Sequence, residues 1–234
     1  MANNPAPVVI PADPHKWRPQ TVRRTTVTPK ISDPLVEPLW SGIRVIVHYR
    51  DSETHEQWGD IEVIDMFGGD AFEAAPIALD FLRRSILASE AVIDGIITTQ
   101  ATAGGEGLSV VITGRANPMS QMFVGAPRSE VTFEPPRDTR HAGSPGFVAL
   151  DLLSIDDQRL FDIPLLERKR LLDGAIKESD LVRISPVVRP PLRQWFGSWQ
   201  SAGFKGLIIK ASNSRYEPGA ETTEWATVLR MPSA

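Results

Sequence analysis

The sequence contains no cysteine. That excludes disulfides, a thiol nucleophile and thiolate-held zinc or iron–sulfur sites. Histidine is scarce as well. His15, His48, His55 and His141 include no i,i+4 pair, so a helical His-based metal site has no support. No run approaches the roughly 18 to 20 uninterrupted apolar residues that a membrane helix needs, and no membrane partner is expected. The N-terminus, MANNPAPVVIPADPH, lacks a basic region followed by an apolar core. No secretory signal is expected there, and a cytoplasmic location is. What remains is a chain of 234 residues, 41% hydrophobic and 23% charged, with a net charge of −4. It is too apolar and too weakly charged to stay disordered. A chain of this length buries roughly 70% of its unfolded surface, enough for a substantial core.

The modest net charge hides an uneven distribution. Residues 51–100 hold eleven acids against two bases, Arg83 and Arg84, a sum of −9. Residues 158–215 hold eleven bases against five acids, a sum of +6. Such asymmetry marks either solvated surface or a face for a polyanion, and the basic segment is the candidate nucleic-acid face.

Proline is abundant at the N-terminal end, with eight in residues 1–38. Each removes a backbone donor and restricts its predecessor, so residues 1–30 are expected to form an extended arm ahead of a single domain over 31–234. β-branched runs predict strands at 43–50 (IRVIVHYR), 61–67, 91–100, 108–115 and 146–155. Further strands are expected at 204–212 and 224–231, around the turn SRYEPGA. Apolar spacing predicts helices over 76–89 and 165–176, and a short one over 193–204 that ends near Gly203. The Gly-rich stretch ATAGGEG is read as a hairpin turn rather than a phosphate cradle, because a strand follows it instead of a helix. Mostly adjacent strands with few helices give an α+β class with antiparallel sheets.

Five blocks then fall in the order of a known family. EPLWSGIRVIV (37–47) resembles the first signature of ATP-dependent DNA ligases, Glu-x-Lys-Trp/Tyr-Asp-Gly-x-Arg. AVIDGII (91–97) resembles its apolar-Asp-Gly-Glu-apolar signature. FVALDLLSIDDQRLFDIPLLERKRLL (147–172) resembles its Phe-Asp-Leu-Leu strand and the Pro-Leu-x-x-Arg helix after it. FKGLIIKAS (204–212) resembles the Glu-Gly-x-x-x-Lys strand. SRYEPGAETTEWATVL (214–229) resembles the Ser-x-Tyr-x-Pro-Gly turn leading to Trp-x-Lys-x-Lys. The resemblance implies a nucleotidyltransferase (adenylation) domain, antiparallel sheets flanked by helices with ATP between them. Because the chain stops five residues after Leu229, no OB-fold domain is expected. In the family a Lys amine attacks the α-phosphate of ATP, and the AMP then passes to a DNA 5′-phosphate.

That chemistry needs an amine nucleophile, metal-holding carboxylates and cations along the phosphates. At the matched positions these groups are absent. The nucleophile's place is Leu39 and the Asp of the same signature is Ser41. The Glu after Asp94-Gly95 is Ile96, and the Glu of the Glu-Gly signature is Lys205. The two lysines after the Trp fall on Thr227 and Leu229. No catalytic residue and no metal ligand are assigned. Glu37, Arg44 and Lys210 are kept and form the candidate residual nucleotide pocket, for ATP held without chemistry. Asp151 is read as a hydrogen-bonding residue and Trp40 and Trp225 as core. The resulting expectation is a pseudo-ligase that acts in DNA repair, recombination or replication by binding a protein partner, a nucleotide or DNA. The alternative is an active ligase with an unrecognised nucleophile.

Overall fold

The computed structural model of the protein describes residues 10–23, 30–52, 59–101, 141 and 143–231. The strand expected at 108–115 lies outside them. The main sheet has the order β4 (Asp60–Asp65), β3 (Ile43–Arg50), β5 (Glu90–Thr98), β6 (Gly146–Ile155), β7 (Gln158–Arg159), and β8 (Val182–Ile184) also pairs with β6. Its ladders are antiparallel except the β6–β8 pair. A second antiparallel sheet has the order β11 (Trp225–Val228), β9 (Leu207–Ala211), β2 (Pro34–Pro38). A short parallel pair joins β1 (Thr21–Val22) to β10 (Glu221–Thr222). The α+β class with antiparallel sheets is the one observed. No helix among the described residues is long and apolar enough to cross a membrane.

Strand alternation divides the core. On β3, Val45, Val47 and Tyr49 face a core shared with α1 (Pro76–Arg83) and α2 (Leu165–Ala175). Ile46, one residue out of phase, faces the opposite side and packs with Trp17, Leu153, Phe161, Tyr216 and Trp225. A third core lies between the two sheets, where Ile96, Val148 and Leu150 meet Leu207 and Ile209. The helix α3 (Leu192–Ser201) adds Phe196 and Trp199 to it.

Two elements depart from expectation. The helix predicted over 76–89 ends at Arg83. The Ser85 hydroxyl donates to the Phe81 carbonyl at 2.7 Å, and Ile86 instead bridges Ile176. The strand β2 was hidden by its terminal prolines. It forms against β9, and Pro34 and Pro38 are in phase with Val36, whose N–H points away from β9 to the Val188 carbonyl, so the missing N–H groups cost the β9 ladder nothing. The N-terminal lead-in also folds back: Trp17 is buried, its indole N–H donates to the Pro11 carbonyl at 2.9 Å, and the Gln20 N–H donates to Tyr216 at 3.0 Å.

Candidate functional site

The kept signature residues meet where the two sheets face each other. Glu37 on β2 is 1% exposed and receives two ammonium groups. Lys169 Nζ lies 2.9 Å from its Oε2 and Lys210 Nζ 2.8 Å from its Oε1. Lys210 also sits 4.6 Å above the Trp225 ring, and Lys169 donates to the Leu150 carbonyl at 2.5 Å. Burial alone raises a carboxyl pKa, but the two lysines outweigh it and hold Glu37 at about 2. Burial, aided by the like charge of Lys210 and opposed by Glu37, brings Lys169 down to about 8.

A second pair stands on the main sheet. Arg44 of β3 grips Asp94 of β5 through two hydrogen bonds, at 2.5 and 2.6 Å. The Tyr216 hydroxyl donates to the same carboxylate at 2.6 Å. Burial, and then the Asp94 charge, push the Tyr216 pKa well up. For Arg44 the charge of Asp94 outweighs burial and raises its pKa. A third pair joins Asp151 on β6 to Arg168 on α2, at 2.8 and 2.9 Å. Arg168 further donates to the carbonyls of Ile163 and Ser214 and stacks over Tyr216. Asp151 is thus a hydrogen-bonding residue.

The structure therefore brings Glu37, Arg44 and Lys210 to one junction, and every one of them is held by a neighbour. The other signature positions do not converge in the same way. Leu39 is half-buried and its N–H donates to the Gly206 carbonyl at 3.0 Å. Ser41 is exposed, with its N–H on Gln100 at 2.7 Å. Ile96 is 5% exposed and packs with Trp40 in the inter-sheet core, surroundings that offer a carboxylate no partner. Lys205 and Thr227 are exposed, and Leu229 is 57% exposed. Among the described residues no group of three or more His, Asp or Glu could hold a metal ion. The donor set does not fit a divalent ion here, since Glu37, Asp94 and Asp151 each already carry a cation. Trp40 and Trp225 are core residues; their indole N–H groups donate to Ser185 and Ser214, each at 3.0 Å.

Two signature glycines are steric. A methyl group on Gly95 would collide with the Phe147 ring, and one on Gly206 with the Val228 carbonyl. These close approaches hold β5 on β6 and the β9 lead on β11.

The reading of the sequence missed Lys169. The signal lay in the helix period: Leu165, Arg168, Lys169, Leu172 and Ala175 follow i, i+3, i+4, i+7, i+10 and all are buried. Two cations on a buried stripe require carboxylates opposite, and Asp151 and Glu37 supply them. The basic segment 158–215 is also less available than its charge suggests. Arg168, Lys169 and Lys210 are buried in these pairs, and Arg170, Arg189 and Arg215 pair with Glu167, Asp33 and Asp162.

Comparison with known proteins follows the same blocks. A family model described as ATP dependent DNA ligase domain matches residues 21–228. DNA ligase C1 of Mycolicibacterium smegmatis is 24% identical over 191 residues, covering 78% of this chain and 48% of that protein. A DNA ligase of Archaeoglobus fulgidus is 32% identical over 76 residues, covering 31% of this chain and 14% of that protein. The chain spans less than half the length of these relatives. Among solved structures, the ligase domain of M. tuberculosis LigD superposes with a TM-score of 0.56 at 21% identity, covering 91% of this chain and 59% of that one. A mycobacterial DNA ligase D complexed with ATP and MES gives 0.57 at 20% identity, covering 91% and 60%. These likenesses establish the fold.

Proposed function

The chain belongs to the ATP-dependent DNA ligase family, and we propose that within it this domain is a pseudo-ligase: it keeps the adenylation scaffold, performs no nucleotidyl transfer, and acts by binding a protein partner in DNA repair, recombination or replication. The observation that carries this reading is the state of the junction. Leu39 stands at the nucleophile position with no lone pair to attack a phosphate. The two lysines buried there are both held by Glu37, and Arg44 is held by Asp94. A nucleotide entering would have to break buried ion pairs that the fold relies on. ATP held without chemistry by Glu37, Arg44 and Lys210 would require those pairs to open first. A protein partner is favoured over nucleic acid because affinity for DNA rests on free cations, and six of the eleven bases in 158–215 are paired internally.

The deciding experiment is intact-mass measurement after incubation with ATP and magnesium. No mass increase is expected, and a gain of one AMP overturns the reading. A thermal shift with ATP then reports whether nucleotide binds. A salt titration of DNA binding tests the nucleic-acid route, with no binding expected at physiological salt.

One observation supports a second reading, an active nucleotidyltransferase with a displaced nucleophile. Burial brings the Lys169 amine to about 8, which raises its neutral, nucleophilic fraction. In that case the adduct would form on the wild type and vanish in Lys169→Met.

A further inference from the structure

A chamber of about 460 Å³ opens on the main sheet, lined by residues outside the junction. Its floor is two registered rows of side chains. Glu62, His48, Val92, Ser154 and Arg159 lie opposite one another across β4, β3, β5, β6 and β7. Asp60, Arg50 and Glu90 form the next row on the same face. Pro14, His15 and Trp17 of the folded-back lead-in line it too. The His15 ring stacks on His48 with centroids 4.6 Å apart, and Arg159 lies 5.6 Å over Trp17 and donates to the Ala12 carbonyl.

The charges on this lining do not balance. Four carboxylates border it: Asp60, Glu62, Glu90 and Asp157. Glu90 is paired with Arg50 at 2.7 Å and Glu62 with His15 at 2.7 Å. Arg159 is committed to a carbonyl and a ring face. Asp60 and Asp157 are left with no ion-pair partner among the described residues, and Asp157 is presented by a left-handed turn at φ +64°. His48 Nε2 is buried with no hydrogen-bond partner among the described residues. Burial, and then the neighbouring His15, bring the His48 pKa to about 4, so at neutral pH the ring is uncharged and has one nitrogen lone pair to offer. An uncharged acceptor and two carboxylates with no ion-pair partner among the described residues together suit a donor cation and repel an anion. A metal ion does not suit, since among the described residues no three ligating groups converge. The volume falls within the roughly 300–1,000 Å³ range of small-molecule sites.

We propose that this chamber binds alkylammonium groups, supplied by a free polyamine or by the lysine side chains of a partner, with Asp60 and Asp157 each taking one charge and the exposed His15 packing the methylenes. The site is separate from the junction, and the inference holds whether or not the junction performs chemistry.

Calorimetric titration of the full chain with spermidine, with an N-acetylated, C-amidated trilysine peptide and with inorganic phosphate tests it. The Trp17 indole ¹H–¹⁵N signal, assigned with Trp17→Phe, serves as a local reporter. Saturable spermidine binding that shifts this signal and weakens about tenfold in Asp60→Asn/Asp157→Asn supports the proposal. Both aspartates are exposed, so the variant keeps its fold. Tighter binding of the peptide than of spermidine, with the same loss, supports it and assigns the cation to a protein's lysine. No saturable binding of either cation overturns it. So does binding that the double variant leaves unchanged, which marks diffuse attraction to the acidic half of the chain. Phosphate binding that shifts the Trp17 signal also overturns it.

Discussion

Two polar regions share one face of the main sheet and follow opposite rules. At the junction Glu37, Lys169, Lys210, Asp94, Arg44 and Tyr216 are packed between sheets and helix, and each charge touches an opposite one. In the chamber, Asp60 and Asp157 face an open mouth with no ion-pair partner among the described residues. The difference follows from solvent. A charge enters a dry interior only if the fold supplies its counter-charge, so a buried polar cluster is complete by necessity. A charge at a half-open wall is solvated and remains available to a ligand. Completeness therefore speaks for a structural junction, and incompleteness marks the chamber as the receptive region.

That contrast can be broken most sharply at Glu37. Replacing Glu37 with Ala leaves two ammonium groups buried without a carboxylate, and a loss of about 3–5 kcal/mol is expected in denaturant unfolding. Replacing Glu37, Lys169 and Lys210 together with Met should recover most of that loss, because apolar packing substitutes well for a buried ion cluster. If the single and triple variants are equally unstable, the cluster contributes through something other than its charge balance.

The next effect is a pH dependence. Lys169 has a folded-state pKa near 8 against 10.5 for the free side chain. Between these values the unfolded chain binds more protons, so stability should rise from pH 8 to pH 10.5. Relative to Lys169→Met the gain should be on the order of 3 kcal/mol, read from urea unfolding at intervals across that window. Glu37 has the opposite consequence at the acid end. Its depressed pKa gives stability that is present above about 4.5 and is lost as pH falls toward 2.

Tyr216→Phe sharpens the comparison at a smaller scale. It removes one donor to Asp94 and the acceptor of the Gln20 N–H, so about 1–2 kcal/mol should be lost. Hydrogen exchange at the Gln20 amide should rise with it. The smallest effect belongs to the chamber. Asp60→Asn/Asp157→Asn should change stability by less than about 0.5 kcal/mol in the same unfolding assay, because neither carboxylate has an ion-pair partner among the described residues.

Much of the fold could be read from residue order. The strand 43–50 and the strand 146–155 are observed over those residues, and the helix over 165–176 ends one residue early at Ala175. Their signals are local: a β-branched run for the strands and an apolar stripe for the helix. The strand Pro34–Pro38 was not legible, because its propensity is poor and its existence depends on β9 lying beside it. The site was legible in part. Glu37, Arg44 and Lys210 stood out as kept charges, but their partners Asp94 and Lys169 lie 50 and more residues away along the chain or on another element. Asp60, Asp157 and His48 gave no signal, since a carboxylate on a strand end and a histidine in a strand are common surface features until a second segment folds over them.

The sequence by itself determined the family blocks, the apolar identity of Leu39 and Ile96 within them, and the alternation that gives β3 two working faces. These are properties of residue identity and short-range spacing. Only the tertiary structure decided that Glu37 neutralises two lysines, that Tyr216 ties the N-terminal lead-in to Asp94, and that an arm and a sheet enclose a chamber. Each of those depends on distances between residues far apart in the chain, which electrostatics and burial set once the sheets have packed.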